Sequence, residues 1–320
     1  MLTNGGSCPV TGHVTGGVCG RYYTPIGRRE VSGVMKRSAL IIHGGAGARE
    51  GAHTNSARYA ESLRRILPQA WRTMGSAGAR EAVLHAVRLL EDDPLFNAGL
   101  GSRLQRDGVA RMSAALMGGA ERQFCGVVNV EAVRHPIDVA AALEGSRYRV
   151  LAGEQATRYA RSLGMPEFDP VTPHRLAEHR TRMAGETGTV GAVAVDEAGR
   201  IWAATSTGGV GFETPGRVSD TPTVAGTYAD ARAGVSCTGI GEHIVDHGAA
   251  VRVVVRASNG VDLRAAVLRT VEEANARNFS YGLIAVDDEG NVCAGSTRAV
   301  TTVWAARNRE GQRDFLDDVS

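Results

Sequence analysis

The feature that most narrows what this chain can fold into is a strand–turn–strand unit that begins at Gly188-Thr189 and closes at Gly208-Gly209. Val190-Gly191-Ala192-Val193-Ala194-Val195 is an unbroken apolar run bounded by polar residues, which reads as a buried strand. Asp196-Glu197-Ala198-Gly199-Arg200 supplies an acidic glycine turn, and Ile201 to Ser206 returns as a second strand. The pattern has an echo downstream. Ala285-Val286-Asp287-Asp288-Glu289-Gly290 followed by Ala294-Gly295-Ser296-Thr297 is again strand, acidic turn, strand. Two short hairpins of this kind indicate similar sheet geometry rather than a repeat architecture.

The remaining periodic segments fill in the layers. Ala39-Leu40-Ile41-Ile42, Phe124 to Val133 and Val251 to Val255 read as strands. Tyr59, Leu63, Ile66 and Leu67 share one helical face, and Ala79, Val83, Ala86, Val87 and Leu90 share another. His135-Pro136-Ile137 opens a helix through Leu143, with proline in a first turn that does not need its N–H. A further helix runs through Leu263, Val267, Leu268 and Val271. Strands in both halves with helices outside predict an α+β fold, an αββα sandwich of two facing sheets with outer helix layers.

The chain has 320 residues with 43% hydrophobic content, enough for one large domain or two modest ones. A net charge of +2, with arginines spread out and matched by acids, gives no electrostatic case for nucleic acid or membrane. No apolar run reaches transmembrane length, and no charged-then-apolar leader opens the chain, so a soluble cytoplasmic protein is expected. The five cysteines lack CxxC spacing and are odd in number, against a disulfide framework or a zinc site. Residues 1–38 are glycine-rich without sustained period and read as a loose extension. Residues 163–188, with three prolines and many charges, read as an exposed linker that would tolerate a chain break.

That linker ends at Gly188-Thr189. A lone Gly-Thr before a strand is ordinarily a strand cap. If the bond between the two were broken, however, Thr189 would carry a free α-amine beside its own hydroxyl. An α-amine has an unperturbed pKa of about 7.7–8.0, so it is available as a base near neutrality. Threonine activated by its own terminal amine is a known nucleophile arrangement. Glycine before the cut would permit backbone angles that other residues resist.

The surrounding motifs support this chemistry. Gly188-Thr189-Val190-Gly191-Ala192-Val193 and Ala204-Thr205-Ser206-Thr207-Gly208-Gly209 resemble the isoaspartyl peptidase/L-asparaginase family of N-terminal-nucleophile hydrolases. His43-Gly44-Gly45-Ala46-Gly47, Phe96-Asn97-Ala98-Gly99, Gly216-Arg217-Val218 with Asp220, and Thr238-Gly239-Ile240-Gly241-Glu242 follow in the family's order. The resemblance covers roughly residues 39 to 300. It implies one domain cut into an alpha half, 39–188, and a beta half, 189–320, by self-cleavage at Gly188–Thr189. Thr189 would be the nucleophile and Thr207 would fix its amine. Thr238 and Gly239 would supply an oxyanion hole, and Asn97 would complete the catalytic set. Arg217, Asp220 and Gly241 would hold the substrate: the arginine fork takes the α-carboxylate and the aspartate takes the α-ammonium. The substrate implied is a β-aspartyl dipeptide or L-asparagine.

In the family, backbone carbonyls of one loop hold a structural sodium ion that takes no part in the chemistry. By motif those carbonyls belong to Leu90, Glu91, Asp93, Phe96, Ala98 and Leu100. No cofactor is implied for the chemistry, and a homodimer of cleaved protomers is. The chain also departs from the family's pattern. Arg111-Met112-Ser113-Ala114 and Gly118 stand where acids are usual, Glu213 where lysine is usual, and Ser219 where glycine is usual. These changes are expected to alter the rim of the site and its substrate preference. Two alternatives are a glycosylasparaginase-like amidase, whose members usually carry Asp-Thr-Ile-Gly, and an uncleaved, non-catalytic aspartate-binding homologue.

Overall fold

Apolar strands dominate the centre because they are covered on both faces, which permits near-continuous hydrophobic runs. The computed structural model describes residues 38–48, 52–181, 188–308 and 311–316. In chain order the first half runs β1 (Ala39–Ala48), α1 (Ala52–Glu91), β2 (Arg111–Gly118), β3 (Gln123–Glu131) and α2 (Pro136–Ala141). It ends with β4 (Val150–Ala152), α3 (Gly153–Ser162) and α4 (Pro173–Arg180). The second half opens with β5 (Val190–Val195), β6 (Ile201–Thr207), β7 (Thr227–Ala229) and β8 (Ala233–Gly239). Then come α5 (Gly241–His247), α6 (Ala249–Ser258), α7 (Leu263–Ala276), β9 (Tyr281–Asp287), β10 (Val292–Ser296), β11 (Val300–Asn308) and β12 (Gly311–Asp314).

An eight-stranded mixed sheet has the order β12-β11-β1-β5-β6-β2-β3-β4, and a four-stranded antiparallel sheet has the order β10-β9-β8-β7. Among the described residues only the β3–β4 pairing is parallel. Helix α1 packs on β1, β5, β6 and β11, while β8 and β9 meet β1 and β5 from the smaller sheet. Helices α6 and α7 pack on the smaller sheet around Val235, Val253, Val267 and Leu283. Among the described residues no helix is long and apolar enough to cross a membrane.

The two hairpins read from the sequence form as expected, β5–β6 in the large sheet and β9–β10 in the small one. Their turns are built alike. Asp196 Oδ1 accepts from the N–H groups of Ala198 and Arg200, and Asp287 Oδ1 accepts from those of Glu289 and Asn291. The two helices expected between Tyr59 and Leu90 meet at Gly78, whose φ of 84° and ψ of −179° interrupt α1.

Two expectations are corrected. Val251 to Val255 is not a strand but the middle of α6, burying Ala250, Val253, Val254 and Ala257 on one face. A β-branched run has a strand's propensity, and packing against β8 overrides it. Residues 173–180 are not exposed linker. Thr172 caps α4 by accepting from the Arg175 N–H, Pro173 occupies the first turn, and Arg175 is buried. The expectation for the extension concerns residues outside the described ones, apart from buried Ser38, and residues 182–187 of the linker also lie outside them.

Candidate active site

The β5–β6 register pairs Val190 with Ser206, so Thr189 stands one residue beyond, opposite Thr207. Their hydroxyl oxygens are 3.0 Å apart and both residues are buried. The Gly209 N–H donates to Thr207 Oγ1 at 3.1 Å. Thr207 is therefore held from the turn that follows β6, with its own hydroxyl directed at Thr189.

Asn97 ties the residue before Thr189 to that same turn. Its N–H donates to the Gly188 carbonyl at 3.0 Å, and its own carbonyl accepts from the Gly208 N–H at 2.8 Å. Its side chain donates to the Gly209 carbonyl at 2.6 Å and accepts from the Arg103 N–H at 2.9 Å. A Cβ on Gly188 would stand 2.9 Å from Asn97 Cβ and 3.0 Å from Asn97 N. What requires glycine before Thr189 in the structure is thus this close approach. Gly44, directly after His43, serves similarly, since a Cβ there would lie 2.2 Å from the Phe96 ring.

The predicted substrate-binding residues also come together. A Cβ on Gly241 would meet Arg217 Nη2 at 2.7 Å and Asp220 Oδ1 at 3.0 Å. The Arg217 fork is engaged by Glu242, Nε to Oε1 at 2.7 Å and Nη2 to Oε2 at 2.9 Å. Burial pushes the Asp220 carboxyl up to about 7, with Arg217 drawing it back only in part. Thr238 and Gly239 end β8, just before Gly241. Gly239 has a φ of 138°, and a Cβ there would lie 2.5 Å from Tyr281 Cα. Ser113 and Asn129 join this group to the first. Ser113 pairs with Thr207 across β2 and β6, its hydroxyl accepts from the Asn129 N–H, and Asn129 Nδ2 donates to the Arg217 carbonyl at 3.1 Å.

Among the described residues, buried polar atoms without a partner concentrate here: Ser102 Oγ, Glu213 Oε2, Ser219 Oγ, Asp220 Oδ2, Thr221 Oγ1 and Thr238 Oγ1. Such atoms are costly unless something polar meets them, which is what a substrate would do. Behind them runs a chain of buried hydroxyls that sequence reasoning missed. His43 Nε2 contacts Ser236 Oγ at 2.9 Å, Ser236 contacts Thr205 at 2.7 Å, and Thr227 donates to Thr205 at 2.6 Å. Burial depresses the His43 imidazole to about 3, so it is neutral at working pH. Only long-range packing brings these four residues together. The one signal in the sequence was hydroxyls at strand positions that would otherwise be apolar.

The departures from the family's pattern sort unevenly. Glu213 and Ser219 are buried rather than on a rim. Arg111 is held by Glu131, Gln105 and Asp107. Gly118 pairs with Trp202, at the far end of β6 from Thr207, so an acid missing there does not border the site.

The loop predicted to hold an ion curls on itself. The Leu90, Glu91 and Asp93 carbonyls accept from the N–H groups of Asp93, Leu100 and Phe96, and the Phe96 carbonyl accepts from Arg175 Nη2 at 3.3 Å. The Glu91 side chain turns away to Ser206 at 2.6 Å and His135 at 3.2 Å. Neutral backbone oxygens are thus what Glu91 and its neighbours offer, a donor set suited to a hard alkali cation.

A threonine hydroxyl at the head of a core strand, hydrogen-bonded to a second hydroxyl, is an arrangement suited to a hydrolase of the N-terminal-nucleophile type. The family described as asparaginase matches residues 36–316, and the chain belongs to that family. It is 41% identical to an isoaspartyl peptidase/L-asparaginase of Synechocystis over 81% of this chain and 84% of the relative. It is 40% identical to an isoaspartyl peptidase of Salmonella typhimurium, over 81% of this chain and 91% of the relative. A plant-type L-asparaginase of Pyrococcus furiosus is 38% identical over 79% of this chain and 91% of its own length.

Proposed function

We propose that this chain is an isoaspartyl peptidase/L-asparaginase that cuts itself between Gly188 and Thr189 and then hydrolyses β-aspartyl amide bonds with the freed Thr189. The observation that carries this reading is the paired Thr189 and Thr207 hydroxyls, 3.0 Å apart, with the Gly188 carbonyl already held by the Asn97 N–H at 3.0 Å. In self-cleavage Thr189 Oγ attacks the Gly188 carbonyl carbon and the C–N bond breaks. The hydroxyl proton passes to the departing Thr189 nitrogen. Water then hydrolyses the resulting ester, leaving a Gly188 carboxylate and a free Thr189 amine and hydroxyl.

Turnover repeats the chemistry on substrate. The Thr189 amine takes the hydroxyl proton, and Oγ attacks the β-carbonyl of a bound aspartyl group. Thr238 and Gly239 receive the oxyanion, each such donor being worth on the order of 10²–10³ in rate. Arg217 would exchange the Glu242 carboxylate for the substrate's α-carboxylate, while Asp220 and the Gly241 carbonyl hold the α-ammonium. The amine leaves with a proton, and water releases aspartate from Thr189. Around this site we assign the two sheets and outer helices to the αββα arrangement of the class, with the cleaved protomers pairing as a homodimer. The carbonyls of Leu90, Glu91, Asp93, Phe96, Ala98 and Leu100 would hold a sodium ion, which keeps the Asn97 loop in shape.

Within this activity we assign a preference for isoaspartyl dipeptides with a basic second residue. Support comes from Glu213, whose buried carboxylate has an unpartnered oxygen and presses against Gly209 beside Thr207. Aspartate release from β-Asp-Arg, β-Asp-Lys, β-Asp-Leu, β-Asp-Glu and L-asparagine tests it. β-Asp-Arg is expected to turn over fastest. Equal or faster turnover of β-Asp-Glu would refute the charge argument, and faster turnover of L-asparagine would reverse the substrate class.

A further inference from the structure

The helix that precedes the cut carries a buried cation whose role the mechanism above does not use. Arg175, on α4, is 5% exposed. Its guanidinium donates from Nε to the Gly101 carbonyl at 2.6 Å, from Nη2 to the Phe96 carbonyl at 3.3 Å, and from Nη1 to Glu178 at 2.8 Å. Glu178 in turn is shared with Arg103, whose N–H holds the Asn97 side chain. The chain just before α4 closes on the same loop, with the Gly101 N–H donating to the Pro170 carbonyl at 2.8 Å.

The Phe96 carbonyl and the Asn97 N–H are the two ends of a single peptide group. A cation donating to the oxygen draws electron density through the amide and makes the N–H at the other end a stronger donor. Hydrogen bonds linked in series reinforce one another in this way, by about 10–30% per bond. The Asn97 N–H is the group that holds the Gly188 carbonyl.

We propose that Arg175 is a positioning residue for self-cleavage. Acting through the Phe96–Asn97 peptide, on an oxygen it would share with the sodium ion proposed above, it strengthens the hydrogen bond that receives the oxyanion when Thr189 attacks Gly188. The segment destined to be separated from Thr189 thereby carries part of the apparatus for its own separation. The inference rests on the reading that the chain cuts at Gly188–Thr189. It adds a residue that the reading does not require.

The test follows conversion of freshly purified full-length chain into two fragments by intact mass, for wild type, Arg175→Gln, Arg175→Lys and Arg175→Ala. Thermal unfolding of each precursor serves as a control for folding. Loss of a whole oxyanion donor costs on the order of 10²–10³ in rate, so weakening one by about 10–30% should slow cleavage by about two- to eightfold. Arg175→Gln is expected to show that slowing with an unfolding temperature close to wild type, and Arg175→Lys to recover part of the rate. Millimolar guanidinium, below denaturing levels, is expected to speed cleavage of Arg175→Ala. If wild type cuts and Arg175→Gln cuts as fast, Arg175 has no such role and the self-cleavage reading survives. Equal slowing of the Gln and Lys variants without rescue by guanidinium would make Arg175 merely structural, which also overturns the proposal. Should Arg175→Ala fail to fold, the Gln and Lys pair decides. A wild type that never cuts defeats both readings together.

Discussion

At the scale of single residues, Asp220 makes the sharpest statement. Its carboxyl is buried with one oxygen unpartnered, and burial raises its pKa to about 7. Only the ionised form can hold an α-ammonium, so substrate binding should weaken as pH falls through that value. KM for a β-aspartyl dipeptide is expected to rise about tenfold per pH unit below about 7. The Thr189 amine, with an ordinary pKa of about 7.7–8.0, acts on the chemical step instead and should appear in kcat. A KM that stays flat from about pH 5.5 to about pH 8.5 would contradict this assignment, since the ordinary aspartate range lies below that window. The same shift has a consequence for the fold. With its folded pKa raised above its unfolded one, Asp220 contributes stability that is fully present below the unfolded value and lost as pH rises through about 7.

Among the elements, α1 shows how a single glycine sets geometry. Gly78 lies in a backbone region open essentially to glycine alone, and a Cβ there would approach Arg200 Nη2 to 3.0 Å and Asp196 Oδ2 to 3.1 Å. Gly78→Ala is expected to cost about 1–3 kcal/mol in urea unfolding with an unchanged slope. An unchanged midpoint would show that the two helices of α1 do not need that bend. Local signals were what the sequence carried well. The hairpin register that sets Thr189 opposite Thr207 follows from a five-residue turn, Asp196 to Arg200, and Arg217 with Asp220 lies within one motif. Thr172-Pro173 also announced α4, but the surrounding charges masked it. The contacts that could not be read are those between distant segments. Asn97 on Gly188, Arg175 on Phe96 and the line from His43 to Thr227 depend on how sheets and loops pack. In α6 the Val-rich run misled because its propensity and its packing disagree.

On the scale of the whole molecule, the two halves are woven into one sheet. Strand β5, from the second half, lies between β1 of the first and β6 of its own, and β6 pairs onward with β2. Separating the halves would strip these ladders and expose the core shared by Leu40, Ile42, Ala192 and Val193. After cleavage the fragments are therefore expected to co-migrate in native mass spectrometry and to part only in denaturant. Free fragments under native conditions would contradict that. The central claim is that Thr189 becomes a new N-terminus, and intact mass under denaturing conditions tests it most directly. Purified wild-type chain should give two fragments whose masses place the break between Gly188 and Thr189, and Thr189→Ala should stay a single chain. A wild type that remains one chain after prolonged incubation, or one cut at another bond, would contradict the account.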